Sequence, residues 1–362
     1  MAWPYAGLNE LRGAALQLYQ GRFFSGTRAE FTGDGGTLVA ETAQPGLLTL
    51  ARMPDGVPGS LYDLGSGAVV ENLLFDPDGT TLYVMASTIR PENVGEVQLA
   101  RALLKIDTTL PLLQVPIPLR VGGYSHGLVV LPRRGLLYTL DSAGAGVANG
   151  ATLSRIDLIA DEITRRRAVG SLPLQLDRRG LATDEQQQAI YGLVSTGGGG
   201  SDFDPPEQAR VAARTYLATF DPDSLTERAR TPLDPGLEYQ AIARSPRGVL
   251  VLGTAPQRSG LTEIDTRLMQ EVGWIELPRG ITDVAVSRHR AVLPGRGALY
   301  IVDLDLFTTL KVVPLGVEAT AEAALTPDGR IAAVLFEDFN FPGQSSLALI
   351  DVEQGRIVRM VR

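Results

Sequence analysis

The chain has 362 residues, of which 44% are hydrophobic and 20% are charged, and its formal net charge is -8. This composition allows a large buried core, and the length fits one, two or three domains. The net negative charge disfavours nucleic acids and anionic membranes as partners, while the absence of cysteine excludes disulfides, thiolate metal sites and cysteine nucleophiles.

The N-terminal residues carry no targeting or membrane-spanning pattern. No apolar run approaches the roughly 18 residues that a membrane span needs, and Met1 to Asn9 lacks a charged start followed by an apolar stretch, so no signal peptide is predicted in this chain. We expect residues 1–28 to be an extension that packs on a single domain formed by residues 29–362. Within it, Ala14 to Gln20 is expected to lie beside the first or the last repeat of that domain.

An internal repeat organises the chain from about Ala29 onward. The clearest copy is residues 73–84 (LLFDPDGTTLYV) followed by residues 103–107 (LLKID), and residues 323–334 (AALTPDGRIAAV) with residues 347–351 (LALID) repeat it closely. Weaker copies lie between and before these two. Aligned on the turn, the seven copies have the anchor residues Gly33, Pro77, Pro132, Glu185, Pro246, Arg288 and Pro327.

Each copy predicts four short antiparallel strands. A Pro-Asp-Gly corner closes a hairpin between the first two strands, because glycine tolerates the positive φ that the turn requires. The Ile-Asp pair ends a third strand, since an aspartate side chain can bond the backbone amides of the next turn. A fourth strand follows, as at Arg356 to Val361, so we expect the last copy to supply all of its own strands.

Four-stranded sheets that repeat every 40 to 60 residues or so predict an all-β fold, a seven-bladed β-propeller. A parallel βαβ fold is disfavoured, because the chain lacks long amphipathic helical patterns. In this architecture the turns at Asp78-Gly79 and Asp328-Gly329 belong to the lower face. The opposite, upper face is where the innermost strand of each blade begins.

The repeat resembles that of the YVTN family of bacterial and archaeal propellers, which combines a Pro-Asp-Gly turn, Leu-Tyr-Val and a strand ending in Ile-Asp. WD40 and kelch repeats match less well. The resemblance implies a propeller that binds at its upper face, and it favours an extracytoplasmic location. Members of the family range from surface proteins to lactonase-like and lyase-like enzymes, so the resemblance implies no single chemistry.

The positions at the start of the innermost strands break the repeat, because they are polar and differ from copy to copy. In a propeller they line the upper mouth of the central channel. We therefore predict a ligand site there, made of Glu71, Asn72, Tyr124, His126, Arg179, Gln240, Asp283 and Glu322. The alternative is that these residues only keep a wet channel mouth polar.

Three long insertions, interpreted as loops at residues 85–101, 142–152 and 195–214, belong to the copies that supply Glu71, His126 and Arg179. They are expected to open onto the same upper face, and loops on a rigid scaffold often carry recognition. The alternative is harmless insertion, because each doubling of a loop costs only about 0.6 kcal/mol.

Two functions of different class remain. The first is a non-catalytic binding platform for a protein, peptide, glycan or small polar ligand. The second is a lactonase-like or lyase-like enzyme in which His126 is the general base or a metal ligand, Glu71 its partner or a second acid, and Arg179 the group that holds an oxyanion. No cofactor is predicted. Because His289 is predicted on the opposite face, a metal site would rest on carboxylates and suit calcium or magnesium.

Overall fold

The computed structural model describes residues 10–11, 29–32, 34–41, 46–53, 57–64, 68–76, 78–92, 96–108, 112–113, 117–119, 124–142, 150–173, 176, 179–184, 188–196, 214–287, 289–316, 322–337 and 345–361. These residues form β-strands and, at Pro132–Arg134, a short 3-10 helix. Within this part of the chain, no helix is long and apolar enough to cross a membrane.

The strands follow one another in short antiparallel hairpins. The first ten are β1 (Glu10–Leu11), β2 (Ala29–Phe31), β3 (Thr37–Glu41), β4 (Leu47–Arg52), β5 (Val57–Asp63), β6 (Ala68–Phe75), β7 (Thr81–Glu92), β8 (Glu96–Asp107), β9 (Leu112–Leu113) and β10 (Ile117–Leu119). The next twelve are β11 (Ser125–Leu131), β12 (Leu136–Ser142), β13 (Gly150–Asp157), β14 (Glu162–Ser171), β15 (Leu181–Thr183), β16 (Ile190–Thr196), β17 (Arg214–Phe220), β18 (Glu227–Pro232), β19 (Glu238–Arg244), β20 (Gly248–Thr254), β21 (Arg258–Asp265) and β22 (Gln270–Pro278). The last eight are β23 (Ala285–Val286), β24 (Arg290–Gly295), β25 (Ala298–Asp303), β26 (Thr308–Pro314), β27 (Glu322–Leu325), β28 (Ile331–Glu337), β29 (Ser345–Asp351) and β30 (Arg356–Val361).

The chain divides into two compact units. Unit 1 comprises Met1–Arg120 and Gly280–Arg362, and unit 2 comprises Val121–Arg279. The described strands of unit 1 form four sheets, with the orders β1-β5-β4-β3-β2, β10-β8-β7-β6 with β9 added to β8, β23-β24-β25-β26 and β27-β28-β29-β30. Those of unit 2 form the eight-stranded sheet β11-β12-β13-β14-β16-β17-β18, in which β15 pairs with β16, and the sheet β19-β20-β21-β22.

The prediction of seven separate four-stranded blades is wrong. In the described part of the chain, five sheets of four or five strands stand as separate blades, while residues 125–232 form one eight-stranded sheet. The sheet is continuous because Ser171, at the end of β14, pairs with Ser195 of β16. Gly170 permits this approach: its φ is 105°, and a Cβ there would lie 3.1 Å from the Ser195 carbonyl oxygen. The structure confirms the coarser prediction of an all-β propeller with four-stranded antiparallel blades.

The C-terminal blade is complete by itself. Strands β27 to β30 form a four-stranded sheet from residues 322–361, which confirms the prediction that the last copy supplies its own strands. The Ala14 to Gln20 segment lies outside the described residues. Of the predicted extension, Glu10 and Leu11 pair with Tyr62 and Leu61 of β5, and the boundary at residue 28 stays a prediction.

The aspartates that end the third strands are turn residues, as predicted. Asp157 accepts hydrogen bonds from the backbone N–H groups of Ile159 and Ala160, both at 2.9 Å. Backbone amides one turn onward make the same kind of bond to Asp221, Asp265, Asp303 and Asp351. The two Asp-Gly corners also have the expected positive φ, 75° at Gly79 and 73° at Gly329, and their place on the lower face stays a prediction.

The charge of one such aspartate should make stability depend on pH. Hydrogen bonds from the Ser224 backbone, chiefly, and then from the Ser224 hydroxyl and Arg228, lower the pKa of Asp221 to about 2 against the opposing effect of partial burial. Because the folded pKa is below the unfolded value of about 3.9, this stabilisation is complete above pH 4 or so and is lost as the pH falls towards about 2.

We therefore expect Asp221→Asn to lower the free energy of unfolding by about 1 kcal/mol at pH 7, and by progressively less at acid pH. Denaturant unfolding at pH 7, 4 and 2.5 measures the difference between the two proteins. A difference that stays constant over this range would show that the carboxylate charge contributes nothing to stability.

Apolar side chains pack between the sheets within each unit. In unit 2 one cluster runs from Leu131 and Tyr138 through Phe220 to Tyr239. In unit 1 another joins the first and last sheets through residues that include Phe31 of β2 and Leu335 of β28. Inter-blade packing of this kind holds the innermost strands at fixed positions, which places the polar residues at their ends.

Candidate functional site

Three of the predicted site residues share one backbone feature: each is the extra residue of a β-bulge in an innermost strand. The hydrogen-bonded ladder skips Glu71 between Val70 and Asn72 of β6, His126 between Ser125 and Gly127 of β11, and Gln240 between Tyr239 and Ala241 of β19. A bulge releases a residue from the alternation of the strand and redirects its side chain, and bulges are frequent beside functional sites. The aligned positions therefore correspond to a recurring structural position.

In unit 2 the structure brings His126, Arg179 and Gln240 onto adjacent strands. The backbone N–H of Gly180 donates to the His126 carbonyl at 2.6 Å, and the N–H of Ile242 donates to the Arg179 carbonyl at 2.6 Å. Arg179 also forms an isolated parallel bridge with Ala241. These bonds link β11 and β19 to the two residues that precede β15. We call His126, Arg179 and Gln240 the bulge site.

Two glycines allow this close approach of backbones. A Cβ on Gly127 would lie 2.7 Å from the backbone nitrogen of Leu181, and a Cβ on Gly180 would lie 2.6 Å from the carbonyl oxygen of His126. Both distances are shorter than any van der Waals contact, and the obstructing atoms belong to the backbone. Glycine at these two positions is therefore a steric requirement of the bulge site, which the sequence alignment did not explain.

The imidazole of His126 is held in one orientation. Its Nδ1 lies 2.8 Å from the carbonyl oxygen of Leu176, and the ring is half-buried. A carbonyl oxygen only accepts, so Nδ1 must carry the hydrogen. In the neutral ring Nε2 is then the nitrogen with a lone pair, which is the form that a general base or a hydrogen-bond acceptor needs.

The other predicted site residues of unit 2 are Arg179 and Gln240 of the bulge site, and Tyr124. Arg179 is half-buried, and the side-chain amide of Gln240 donates to the hydroxyl of Thr254 at 3.2 Å. Tyr124 precedes β11, and its backbone N–H donates to the Ser142 hydroxyl at 2.8 Å. With 52% of its surface exposed, the Tyr124 side chain offers an aromatic face to solvent.

In unit 1 the carboxylate of Glu71 forms an ion pair with Arg101, which the sequence did not predict. Arg101 of β8 donates through Nε to both carboxylate oxygens, at 3.1 and 3.0 Å, and through a terminal nitrogen to Oε2 at 2.8 Å. The two side chains are 1% and 2% exposed. This contact supports a structural role for Glu71, and the ligand-binding and catalytic roles assigned to it remain predictions without support from its surroundings.

The remaining predicted residues of unit 1 also contact backbone. Asp283 is 7% exposed and accepts from the N–H of Ala323 at 3.1 Å, next to the half-buried Glu322. Asn72 accepts from the N–H of Leu73 at 3.0 Å. Because Glu71 lies in unit 1 whereas His126 and Arg179 lie in unit 2, a single cleft that contains all three stays a prediction.

One of the three insertions is not a loop. Residues 85–101 extend the hairpin of β7 and β8, with pairing from Met85–Leu103 to Glu92–Glu96, so the interpretation as a loop is wrong there. When the chain is aligned on the repeat, the alternating apolar and polar residues of a hairpin longer than those of the other copies look like an irregular insertion. For the other two insertions, residues 143–149 and 197–213 lie outside the described part.

Among the residues that the structure describes, no three histidine or acidic side chains are grouped closely enough to hold a metal ion. The carboxylates of Glu71 and Asp283 already bind protein groups. A calcium or magnesium site therefore stays a prediction.

Comparisons with known proteins identify the fold alone. No protein-family model and no curated protein sequence matches the chain, so membership of the YVTN family is not shown. Among solved structures, the chain is similar to hydrazine synthase of Kuenenia stuttgartiensis, with 13% identity over 91% of this chain and 96% of that chain and a TM-score of 0.67. It is also similar to the dihydro-heme d1 dehydrogenase NirN in complex with DHE, with 14% identity, 94% of this chain and 66% of that chain covered, and a TM-score of 0.53.

Proposed function

We propose that the protein is a ligand-binding β-propeller, related to the YVTN repeat proteins, that recognises a polar ligand through the bulge site and Tyr124. The observation that supports this proposal is the backbone arrangement of unit 2, in which His126 is hydrogen-bonded to Gly180, and Arg179 to Ile242, two residues after Gln240. If these residues only kept the mouth of the channel polar, this backbone arrangement would not be needed. Exposed polar side chains anywhere on the strands would have the same effect.

The chemistry of the bulge site suits a small ligand, or an exposed group of a peptide or glycan, that carries a carboxylate or hydroxyls. Arg179 offers a planar set of donors that matches a carboxylate, Gln240 offers an amide that donates and accepts, and Tyr124 offers an aromatic surface for a sugar ring or a side chain. A single arginine in a chain of net charge -8 does not suit a polyanion.

The proposal is tested by thermal unfolding of the full chain in the presence of a panel of organic acids, amino acids, sugars and short peptides, with and without calcium or magnesium. A ligand at about 100 times its Kd adds about 2.7 kcal/mol to the free energy of unfolding, which raises the Tm by several degrees. We expect at least one compound to raise the Tm of the wild type, and Arg179→Gln and His126→Ala to abolish that shift.

Arg356→Gln provides a matched control for Arg179→Gln, because it removes the same charge from an exposed position on β30 of unit 1. It should leave the ligand-induced Tm shift unchanged. If the shift survives both substitutions in the bulge site, the ligand binds elsewhere and the proposal is wrong.

A second candidate function is catalysis at the same site on a small polar substrate. The hydrogen bond of Nδ1 to Leu176 favours it, because Nε2 is then available as a base. In this version the guanidinium of Arg179 stabilises an oxyanion. If the protein is such an enzyme, a bound compound from the panel should be converted, and His126→Ala should lower turnover by about 100-fold. Binding without conversion would exclude this version and leave the binding function in place.

A further inference from the structure

A second polar site lies in unit 1, independent of the bulge site. It is a cleft of about 600 Å³ between the turn that joins β23 to β24 and the turn that joins β27 to β28. Its lining includes Ser287, His289 and Arg290 from the first turn and Gly329 and Arg330 from the second. We call it the turn cleft.

Arg290 supplies a positive charge to the turn cleft that no described residue neutralises. Its carbonyl oxygen accepts from the N–H of Ser287 at 2.8 Å, whereas its guanidinium makes no hydrogen bond or ion pair within the described part of the chain. The residue is nevertheless half-buried, and its Cγ lies 3.6 Å from where a Cβ on Gly329 would be. A guanidinium without an acidic partner can donate charge-assisted hydrogen bonds to an anion bound in the cleft.

A hydroxyl and a glycine complete the lining of the turn cleft. The Ser287 Oγ lies 2.6 Å from the position of a Cβ on Gly329, and no described residue forms a hydrogen bond with this hydroxyl. Gly329 has a φ of 73°, so the turn requires glycine, and a side chain at this position would collide with the hydroxyl. Ser287 and Arg290 both line the turn cleft.

Two acidic groups at the cleft and the imidazole have partners of their own. Asp328 accepts hydrogen bonds from the Thr326 hydroxyl at 2.7 Å and from the N–H of Arg330 at 3.0 Å. Its carboxylate therefore stabilises the turn. Asp305 lies 2.9 Å from Nδ1 of His289 and orients that ring. Glu353 is an exposed acid in the lining, and Arg330, whose guanidinium is 3.8 Å from Asp328, is a second cation of the lining.

We infer that the turn cleft binds a small oxyanion, a phosphate or carboxylate group, between the guanidinium of Arg290 and the hydroxyl of Ser287. Charge-assisted hydrogen bonds from these two donors suit such a group, which accepts through several oxygens at once. The site is chemically simpler than the bulge site and does not depend on it.

Titration of the full chain with inorganic phosphate and, separately, with acetate tests the inference, with binding followed by isothermal calorimetry. We expect saturable binding of at least one anion at millimolar concentrations or below. Arg290→Gln should weaken it by tenfold or more, or about 1.4 kcal/mol, and Ser287→Ala should weaken it by about threefold to tenfold. Binding of phosphate identifies phosphorylated ligands as the class, whereas binding of acetate alone identifies carboxylates.

Arg356→Gln is the matched control, because Arg356 is exposed on β30 of the same unit, does not line the cleft and loses the same charge. It should leave the anion affinity unchanged. If neither anion binds, or if Arg290→Gln and Arg356→Gln weaken binding equally, the effect is one of overall charge and the inference is overturned. Circular dichroism of each variant verifies that the fold is retained.

Discussion

Replacing Glu71 by alanine is expected to lower the free energy of unfolding by about 3–5 kcal/mol. The substitution would leave the guanidinium of Arg101 inside unit 1, where its side chain is 2% exposed and has three hydrogen bonds to the lost carboxylate. A buried charge that loses its carboxylate counter-ion is costly, because water does not solvate it there. Denaturant unfolding of the wild type and the variant, followed by circular dichroism, measures the loss.

The double variant Glu71→Leu with Arg101→Met distinguishes the cost of an orphaned charge from the cost of losing the pair. Replacing both partners of a buried ion pair by apolar residues of similar size is often neutral or stabilising. We therefore expect the double variant to recover most of the stability that Glu71→Ala loses. If the double variant is as unstable as the single one, the effect does not come from the uncompensated arginine, and the structural role given to Glu71 would need another explanation.

Gly180→Ala is expected to be strongly destabilising, with a loss of about 3 kcal/mol or more. A methyl group there would lie 2.6 Å from the His126 carbonyl oxygen and 2.9 Å from a side-chain carbon of Leu176. Relief requires β11 and β15 to separate, which would break the 2.6 Å hydrogen bond from Gly180 to His126. The same separation would displace Arg179 from His126, so ligand binding at the bulge site should fall together with stability.

Gly236→Ala is the control for this substitution, because it adds the same methyl group in the same unit. At that position the nearest obstruction is the carboxylate of Asp234 at 3.2 Å, which is a side chain that can move. The expected loss is about 0.5 kcal/mol or less. Equal losses at the two positions, measured by thermal or denaturant unfolding, would falsify the account of Gly180 as a contact point between backbones.

Several features follow from short stretches of sequence, because neighbouring residues determine them. The Asp-Gly corners at Asp78-Gly79 and Asp328-Gly329 require a positive φ, which glycine supplies. The Ile-Asp pairs end strands because the aspartate bonds amides two and three residues onward. A complete last blade from residues 322–361 follows from the same local signals.

The aligned polar positions were also visible in the sequence, but their environments were not. The repeat placed Glu71, His126 and Gln240 at one position, and the structure shows that this position is a bulge. That Glu71 is buried against Arg101 depends on a partner 30 residues away on a strand that is not its neighbour. No turn or periodicity indicates such a pair.

Local signals in the sequence thus define the hairpins, the turn residues and the position of the candidate site within each repeat. Only the tertiary structure decides which strands pair beyond the hairpin, as at Ser171 and Ser195, and which insertions are strand, as at residues 85–101. It also decides which polar residues face a protein partner and which face a cleft, as Glu71 and Arg290 do. The physical reason is that long-range pairing and burial depend on the whole packed chain, whereas turn geometry depends on a few adjacent residues.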